Sequence, residues 1–86
     1  MQSGHVMYVL ACCDGSWYAG YTTDLTKRMT LHEAGKAAKY TRGRGPFTLV
    51  WYEVFATKTA ALQAEYAFKQ LTRKQKERYI EERKDK

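Results

Sequence analysis

Asp14-Gly15 lies between two runs rich in apolar and aromatic residues, and this pairing constrains the fold more than any other feature of the chain. His5 to Cys12 reads as a strand, with Val6, Tyr8 and Leu10 on one face and Met7, Val9 and Ala11 on the other. Asp-Gly is a strong hairpin signal, and Ser16 to Tyr21 supplies the return strand. The length of the hairpin loop decides which side chains share a face. An odd-numbered loop, for example three residues, pairs Leu10 with Tyr18 and puts Tyr8 and Tyr18 together. A two-residue loop pairs Ala11 with Tyr18 and sends the two tyrosines to opposite faces.

The remaining elements follow from capping and periodicity. Thr22-Thr23-Asp24 offers N-cap side chains for a helix over about Leu25 to Ala34, stopped by Gly35. Lys36 to Pro46 is a basic loop punctuated by glycine. Phe47 to Phe55 is aromatic and β-branched with almost no polar interruption, which predicts a strand buried on both faces. Thr57 can cap a second helix from Lys58 to about Leu71. Thr72 and Gln75 form a capping box for a third, which runs to the charged end of the chain with Tyr79 and Ile80 as its anchors. The order β-β-α-β-α-α predicts an α+β fold: a small three-stranded, mainly antiparallel sheet flanked by helices. At 86 residues a single domain over 1–86 is expected, with its core over about 5–80.

Charge narrows the partners. Fifteen Lys and Arg against nine Asp and Glu give a formal charge of +6, which favours an anionic partner, nucleic acid first. Cys12 and Cys13 are adjacent, so they offer neither a scaffold of spaced disulfides nor metal-ligand spacing; two buried or half-buried thiols are expected. The sequence shows no basic leader, and no apolar stretch approaches the roughly 20 residues of a membrane span. A soluble, cytoplasmic chain without membrane association is the expectation.

Chemistry gathers on a few positions. On the first helix Leu25, Met29 and His32 share a face, with Arg28 at its edge one turn before His32. On the second, Glu65 lies beside Ala61 and Phe68, where a carboxylate is costly to bury unless it is paired or holds a cation. The plain alternatives are an arginine covering the core edge with its stem, a core-edge histidine, and a surface pair of Glu65 with Lys69. Together, however, these residues are the parts of a phosphodiester hydrolase. A phenol can take or relay a proton from water, a guanidinium can neutralise charge growing on phosphorus, and a carboxylate can hold one divalent cation. Lys36, Lys39, Arg42 and Arg44 in the basic loop can contact phosphates, which positions a backbone without reading its sequence.

Tyr8, Tyr18-Ala19-Gly20, Arg28, His32 and Glu65, in this order and on these elements, resemble the GIY-YIG nuclease domain. The resemblance spans roughly residues 5 to 80 and is nearest to the family's small stand-alone members, in which stretches like Asp14-Gly15-Ser16-Trp17-Tyr18 and Lys39-Tyr40-Thr41-Arg42-Gly43-Arg44 recur. It implies that one of Tyr8 and Tyr18 acts in general-base chemistry and that Arg28 stabilises the transition-state charge. It also implies that His32 handles a proton or contacts phosphate, and that Glu65 binds one Mg²⁺ or Mn²⁺. The implied activity is metal-dependent hydrolysis of DNA, branched or damaged DNA included, nicking one strand with low sequence specificity. A protein partner would supply specificity. The sequence departs from the family pattern in three places: only the tyrosine of the first triplet survives in Val6-Met7-Tyr8, Tyr21 stands where several catalytic relatives carry lysine, and asparagine is absent. The competing expectation is a non-catalytic nucleic-acid-binding module on the same fold; a protein-interaction domain built on the charged last helix is a third.

Overall fold

A computed structural model describes residues 4–84. Its elements run β1 (His5–Ala11), β2 (Trp17–Thr22), α1 (Leu25–Glu33), β3 (Thr48–Phe55), α2 (Lys58–Lys69) and α3 (Arg73–Lys84). The three strands form one antiparallel sheet in the order β2-β1-β3, so the expected α+β architecture holds. The expected run of the last helix over residues 85–86 lies outside the described residues.

Alternation along β1 is the organising feature. Val6, Tyr8 and Leu10 pack with Leu25 of α1, and Met29, Tyr18 and Phe47 lie against them. Met7 and Val9 point to the other side and pack with Ala19, Phe68 of α2 and Ile80 of α3. Val6 through Leu10 are all fully buried, as a central strand covered on both faces must be.

The caps predicted from sequence are present. The Asp24 side chain accepts from the Lys27 backbone N–H, and the Thr57 hydroxyl accepts from the Ala60 N–H. Thr72 and Gln75 satisfy each other's backbone N–H groups at 2.9 and 3.2 Å. Each bond removes an orphan donor from a helix start and is worth roughly 1 kcal/mol.

Two expectations are corrected. β3 begins at Thr48 and is not buried on both faces: Leu49, Tyr52 and Val54 are exposed. The sheet order explains this. β1 takes the central place, and β3 is left as an edge strand. In register, Leu49, Tyr52 and Val54 stand opposite Leu10, Tyr8 and Val6, on the face that α1 covers over β1 but not over β3. An irregularity between Val9 and Leu10 adds Val50 to β3, and Val50 and Trp51 both pack toward the α2–α3 side. The second correction concerns the thiols, which differ. Cys12 is buried at the end of the hairpin, whereas Cys13 is exposed in its loop.

Candidate active site

The hairpin register sets the site. Cys12 and Ser16 close a three-residue loop through a 2.8 Å backbone bond, and Gly15 takes a left-handed φ of 87°. A three-residue hairpin loop needs a residue in this conformation, and glycine adopts it without a side-chain clash. Leu10 therefore pairs with Tyr18 and Tyr8 pairs with Gly20, so Tyr8 and Tyr18 share a face. Their rings lie 6.4 Å apart between centroids. Gly20 is required by close approach: a Cβ there would meet the Tyr8 hydroxyl oxygen at 2.6 Å and its Cζ at 2.7 Å.

From Tyr8 a line of hydrogen bonds runs into the basic loop. The Tyr8 hydroxyl lies 2.7 Å from His32 Nε2, and His32 Nδ1 lies 2.9 Å from Thr41 Oγ1. Thr41 Oγ1 in turn donates to the Ala38 carbonyl at 3.1 Å. With the Thr41 proton assigned to that carbonyl, Thr41 accepts from His32, which assigns the ring proton to Nδ1. Nε2 then accepts from the Tyr8 hydroxyl. The direction of every bond follows from the last one. Tyr8, His32 and Thr41 are 0%, 1% and 0% exposed, so each polar group finds its partner within the protein.

Burial also sets the protonation states. Desolvation pushes the Tyr8 hydroxyl well above the ordinary phenol range; nearby Tyr18 adds to this, Glu65 acts in the same direction more weakly, and Arg28 opposes it by its charge and a hydrogen bond. Desolvation, followed by the Arg28 charge, holds His32 below the ordinary imidazole value, against a smaller opposing pull from Glu33. Tyr8 is thus a neutral phenol bonded to a neutral imidazole.

Around this buried line stand the more accessible groups. Arg28, Tyr18 and Glu65 are all partly buried. Arg28 and Glu65 both lie close enough to Tyr8 to act on its hydroxyl, the guanidinium by charge and hydrogen bonding and the carboxylate by charge. The Tyr18 ring packs edge-on against His32 with centroids 5.4 Å apart. The Glu65 side chain is 15% exposed and pairs with Lys69 at 2.8 Å, the surface pair foreseen as an alternative, while the Lys69 ammonium also lies 6.0 Å from the Tyr18 ring centre. The fold brings together all five positions proposed from the sequence: Tyr8, Tyr18, Arg28, His32 and Glu65.

The basic loop is placed less uniformly. Lys36, Lys39 and Arg42 are exposed. Arg44 is engaged internally: its guanidinium pairs with Asp14, donates to the Tyr40 carbonyl at 2.7 Å and lies 4.5 Å over the Tyr40 ring. It fastens the loop to the hairpin, and Tyr40 in turn stacks on Tyr18 with centroids 5.9 Å apart. Thr41 and Tyr40 were not among the residues singled out from the sequence, although both lie in its Lys39–Arg44 stretch. Tyr21, one of the departures noted from the sequence, lies on the opposite sheet face from Tyr18, opposite Met7, and its hydroxyl meets His5 Nδ1 at 2.8 Å.

Among the described residues no three His, Cys, Asp or Glu side chains cluster as a metal cage. Glu65 alone fits a different kind of cation, one that keeps several waters and rests on one carboxylate and a substrate phosphate, as Mg²⁺ does. The Lys69 ammonium pairs with that carboxylate in the present structure.

A small antiparallel sheet with paired tyrosines on its central hairpin, and an arginine, a histidine and a glutamate brought to them by two helices, is the architecture of a GIY-YIG catalytic domain. The family model for that domain matches residues 4–79, and the chain belongs to the GIY-YIG family. Over 83 residues it is 57% identical to the UPF0213 protein YazA of Bacillus subtilis, covering 96% of this chain and 84% of that one. It also resembles the solution NMR structure of the UPF0213 protein BH0048 from Bacillus halodurans, with 52% identity, a TM-score of 0.60 and coverage of 90% and 82%. The solution NMR structure of the protein EF2693 from E. faecalis is similar at 46% identity and a TM-score of 0.73, covering 100% of this chain and 94% of that one.

Proposed function

We propose that the chain is a divalent-metal-dependent endonuclease that hydrolyses DNA phosphodiester bonds, nicking one strand with low sequence specificity, and that it acts as a single cytoplasmic domain. The observation that carries this reading is the convergence of a partly exposed phenol, a guanidinium and a nearly buried carboxylate on the Tyr8 hydroxyl. Family membership supports the reaction class.

The two tyrosines take different roles in this reading. Tyr8 is fully buried and has its proton committed to His32, so it serves as a fixed neutral strut for Arg28. Tyr18 is the phenol with access to solvent. Its oxygen accepts a proton from the attacking water while its own proton passes to solvent. The water oxygen bonds to phosphorus, the bond to the leaving deoxyribose oxygen breaks, and that oxygen takes up a proton from solvent. Arg28 faces the negative charge that grows on the non-bridging oxygens. Glu65 would hold one Mg²⁺ or Mn²⁺, which when bound supplies charge neutralisation at the leaving oxygen. Lys36, Lys39 and Arg42 contact backbone phosphates, which gives affinity without sequence reading. A protein partner would supply whatever specificity the domain lacks.

One observation favours the rival reading of a binding module that does not cleave: Lys69 already neutralises Glu65. Nicking of supercoiled plasmid and branched DNA with Mg²⁺ or Mn²⁺ decides between them. Nuclease activity predicts cleavage by the wild type that is lost on chelation and falls at least about 100-fold in Arg28→Ala and Glu65→Ala. Binding by all three proteins with cleavage by none would establish the binding module.

A further inference from the structure

Thr41 lies outside the set of groups that meet the substrate, yet it is fully buried and both sides of its hydroxyl are used. A surface-loop threonine has no need of such burial for solubility or turn formation. Its position is explained by what it touches. It accepts a hydrogen bond from His32 Nδ1–H at 2.9 Å and donates one to the Ala38 carbonyl three residues back at 3.1 Å. His32 alone could exist in either neutral tautomer, and an Nε2–H form would confront the Tyr8 hydroxyl with a donor. Tyr8 would then have to turn its own proton toward Arg28, which has no lone pair to accept it. Only the Nδ1–H form lets Tyr8 donate to His32 and keep its oxygen lone pairs for the guanidinium.

We propose that Thr41 is a positioning residue for phosphodiester hydrolysis: by holding His32 in the Nδ1–H tautomer it fixes the Tyr8 hydroxyl and, through it, the orientation of Arg28. The inference rests on the nuclease reading above for its catalytic consequence, but its structural half stands on its own. Thr41 also ties the site to the loop that bears Lys39 and Arg42, so the element that grips the backbone sets the alignment of the charge-stabilising arginine. Oriented imidazoles owe their tautomer to the partner of the second ring nitrogen, and the loss of such partners typically costs an active site about 10- to 100-fold.

Two measurements test it. Long-range ¹H–¹⁵N correlation of the wild-type protein above pH 7 is expected to show His32 protonated at Nδ1 and bare at Nε2; an Nε2–H or doubly protonated ring overturns the proposal without reference to cleavage. Single-turnover nicking then compares Thr41→Val, which keeps the shape and removes the hydroxyl, with Thr41→Ser, which keeps the hydroxyl. Thr41→Val is expected to slow the cleavage step about 10-fold or more, leave plasmid affinity within about twofold, and lose the single tautomer. Thr41→Ser is expected to restore both. Wild-type cleavage by Thr41→Val, or equal losses in Val and Ser variants that remain folded by circular dichroism, overturns it. Should Thr41→Val fail to fold, the wild-type tautomer and the Ser variant still decide. Should the wild type fail to cleave any substrate, the nuclease reading falls, and the tautomer measurement alone judges whether Thr41 orients His32.

Discussion

Gly20→Ala is the most informative single perturbation of this site, because its consequence follows from three interatomic distances. The new methyl would lie 2.6 Å from the Tyr8 hydroxyl oxygen, 2.7 Å from Cζ and 3.0 Å from Cε1, where ordinary contacts begin at 3.4 Å. Relief needs a displacement of about 0.8 Å at the hydroxyl. A side-chain tip can often give way, but Tyr8 is fully buried and bonded to His32 at 2.7 Å. Moved away by that amount, the bond stretches to about 3.5 Å, at the limit of what counts as one. The alternative is to part β1 from β2 at their centre. Overpacking costs about 1–3 kcal/mol, and weakening a buried hydrogen bond adds about 1 kcal/mol, giving a loss of about 2–4 kcal/mol. For a domain of this size that lowers the thermal midpoint by about 10–20 °C. Thermal unfolding followed by circular dichroism measures it, with Gly15→Ala as the control. Gly15 sits at a φ of +87° with nothing within 4 Å of an added Cβ, so its substitution meets backbone strain alone, about 1–2 kcal/mol. If Gly20→Ala destabilises no more than Gly15→Ala, the close packing of Tyr8 on Gly20 is not what holds the site, and the reasoning fails.

Three further outcomes follow. His32 has its folded-state pKa held below the unfolded value near 6.5, so the unfolded chain binds the proton more readily and stability is lost as pH falls from about 6.5 through the folded value. A wild-type midpoint that falls between pH 7 and 5, with the slope reduced in His32→Gln, checks this; parallel slopes refute it. Replacing exposed Lys39 and Arg42 together by alanine is expected to flatten the salt dependence of DNA affinity by about two in log–log slope while leaving plasmid topology preference unchanged, measured by fluorescence anisotropy. Lys69→Met removes the ammonium that occupies Glu65 and keeps its stem. The Mn²⁺ or Mg²⁺ concentration for half-maximal nicking is expected to fall about twofold, because an i,i+4 pair is worth only a few tenths of a kcal/mol; a rise would show that Lys69 assists the cation.

How much of this was legible in the sequence depended on whether the signal was local. The alternation of β1, the caps at Asp24 and Thr57, and the Thr72–Gln75 box are written within a few residues, and each appears as read. The hairpin register stayed open because Asp-Gly fits loops of either parity, and the Cys12–Ser16 backbone bond is what selects three residues. β3 was misread for a different reason. An apolar run looks the same at the centre of a sheet and at its edge, and strand order is a non-local choice that gave the centre to β1. The five candidate site positions could be named in advance because their order and spacing resemble the GIY-YIG pattern, not because any one of them is distinctive alone. Thr41 could not, since nothing local distinguishes it from Thr22, Thr23 or Thr26; its contact with His32 comes from a loop that folds back onto α1.

The division between buried and exposed groups also says how variants of this domain should sort. Tyr8, His32 and Thr41 are polar groups fully inside the core, and their bonds run head to tail, so removing any one leaves a buried partner unpaired. Stability and chemistry are therefore inseparable along that line. Tyr18, Arg28 and Glu65 stand at its outer end with partial access to solvent, and water can replace what a substitution removes there. A chain of only 86 residues has little stability to spare. In the proposed nuclease reading, orienting groups in the core and reacting groups at its rim let the same hydrogen bonds that complete the fold also aim the arginine. Loss of function without loss of stability is then a signature of the rim, and joint loss is a signature of the buried line.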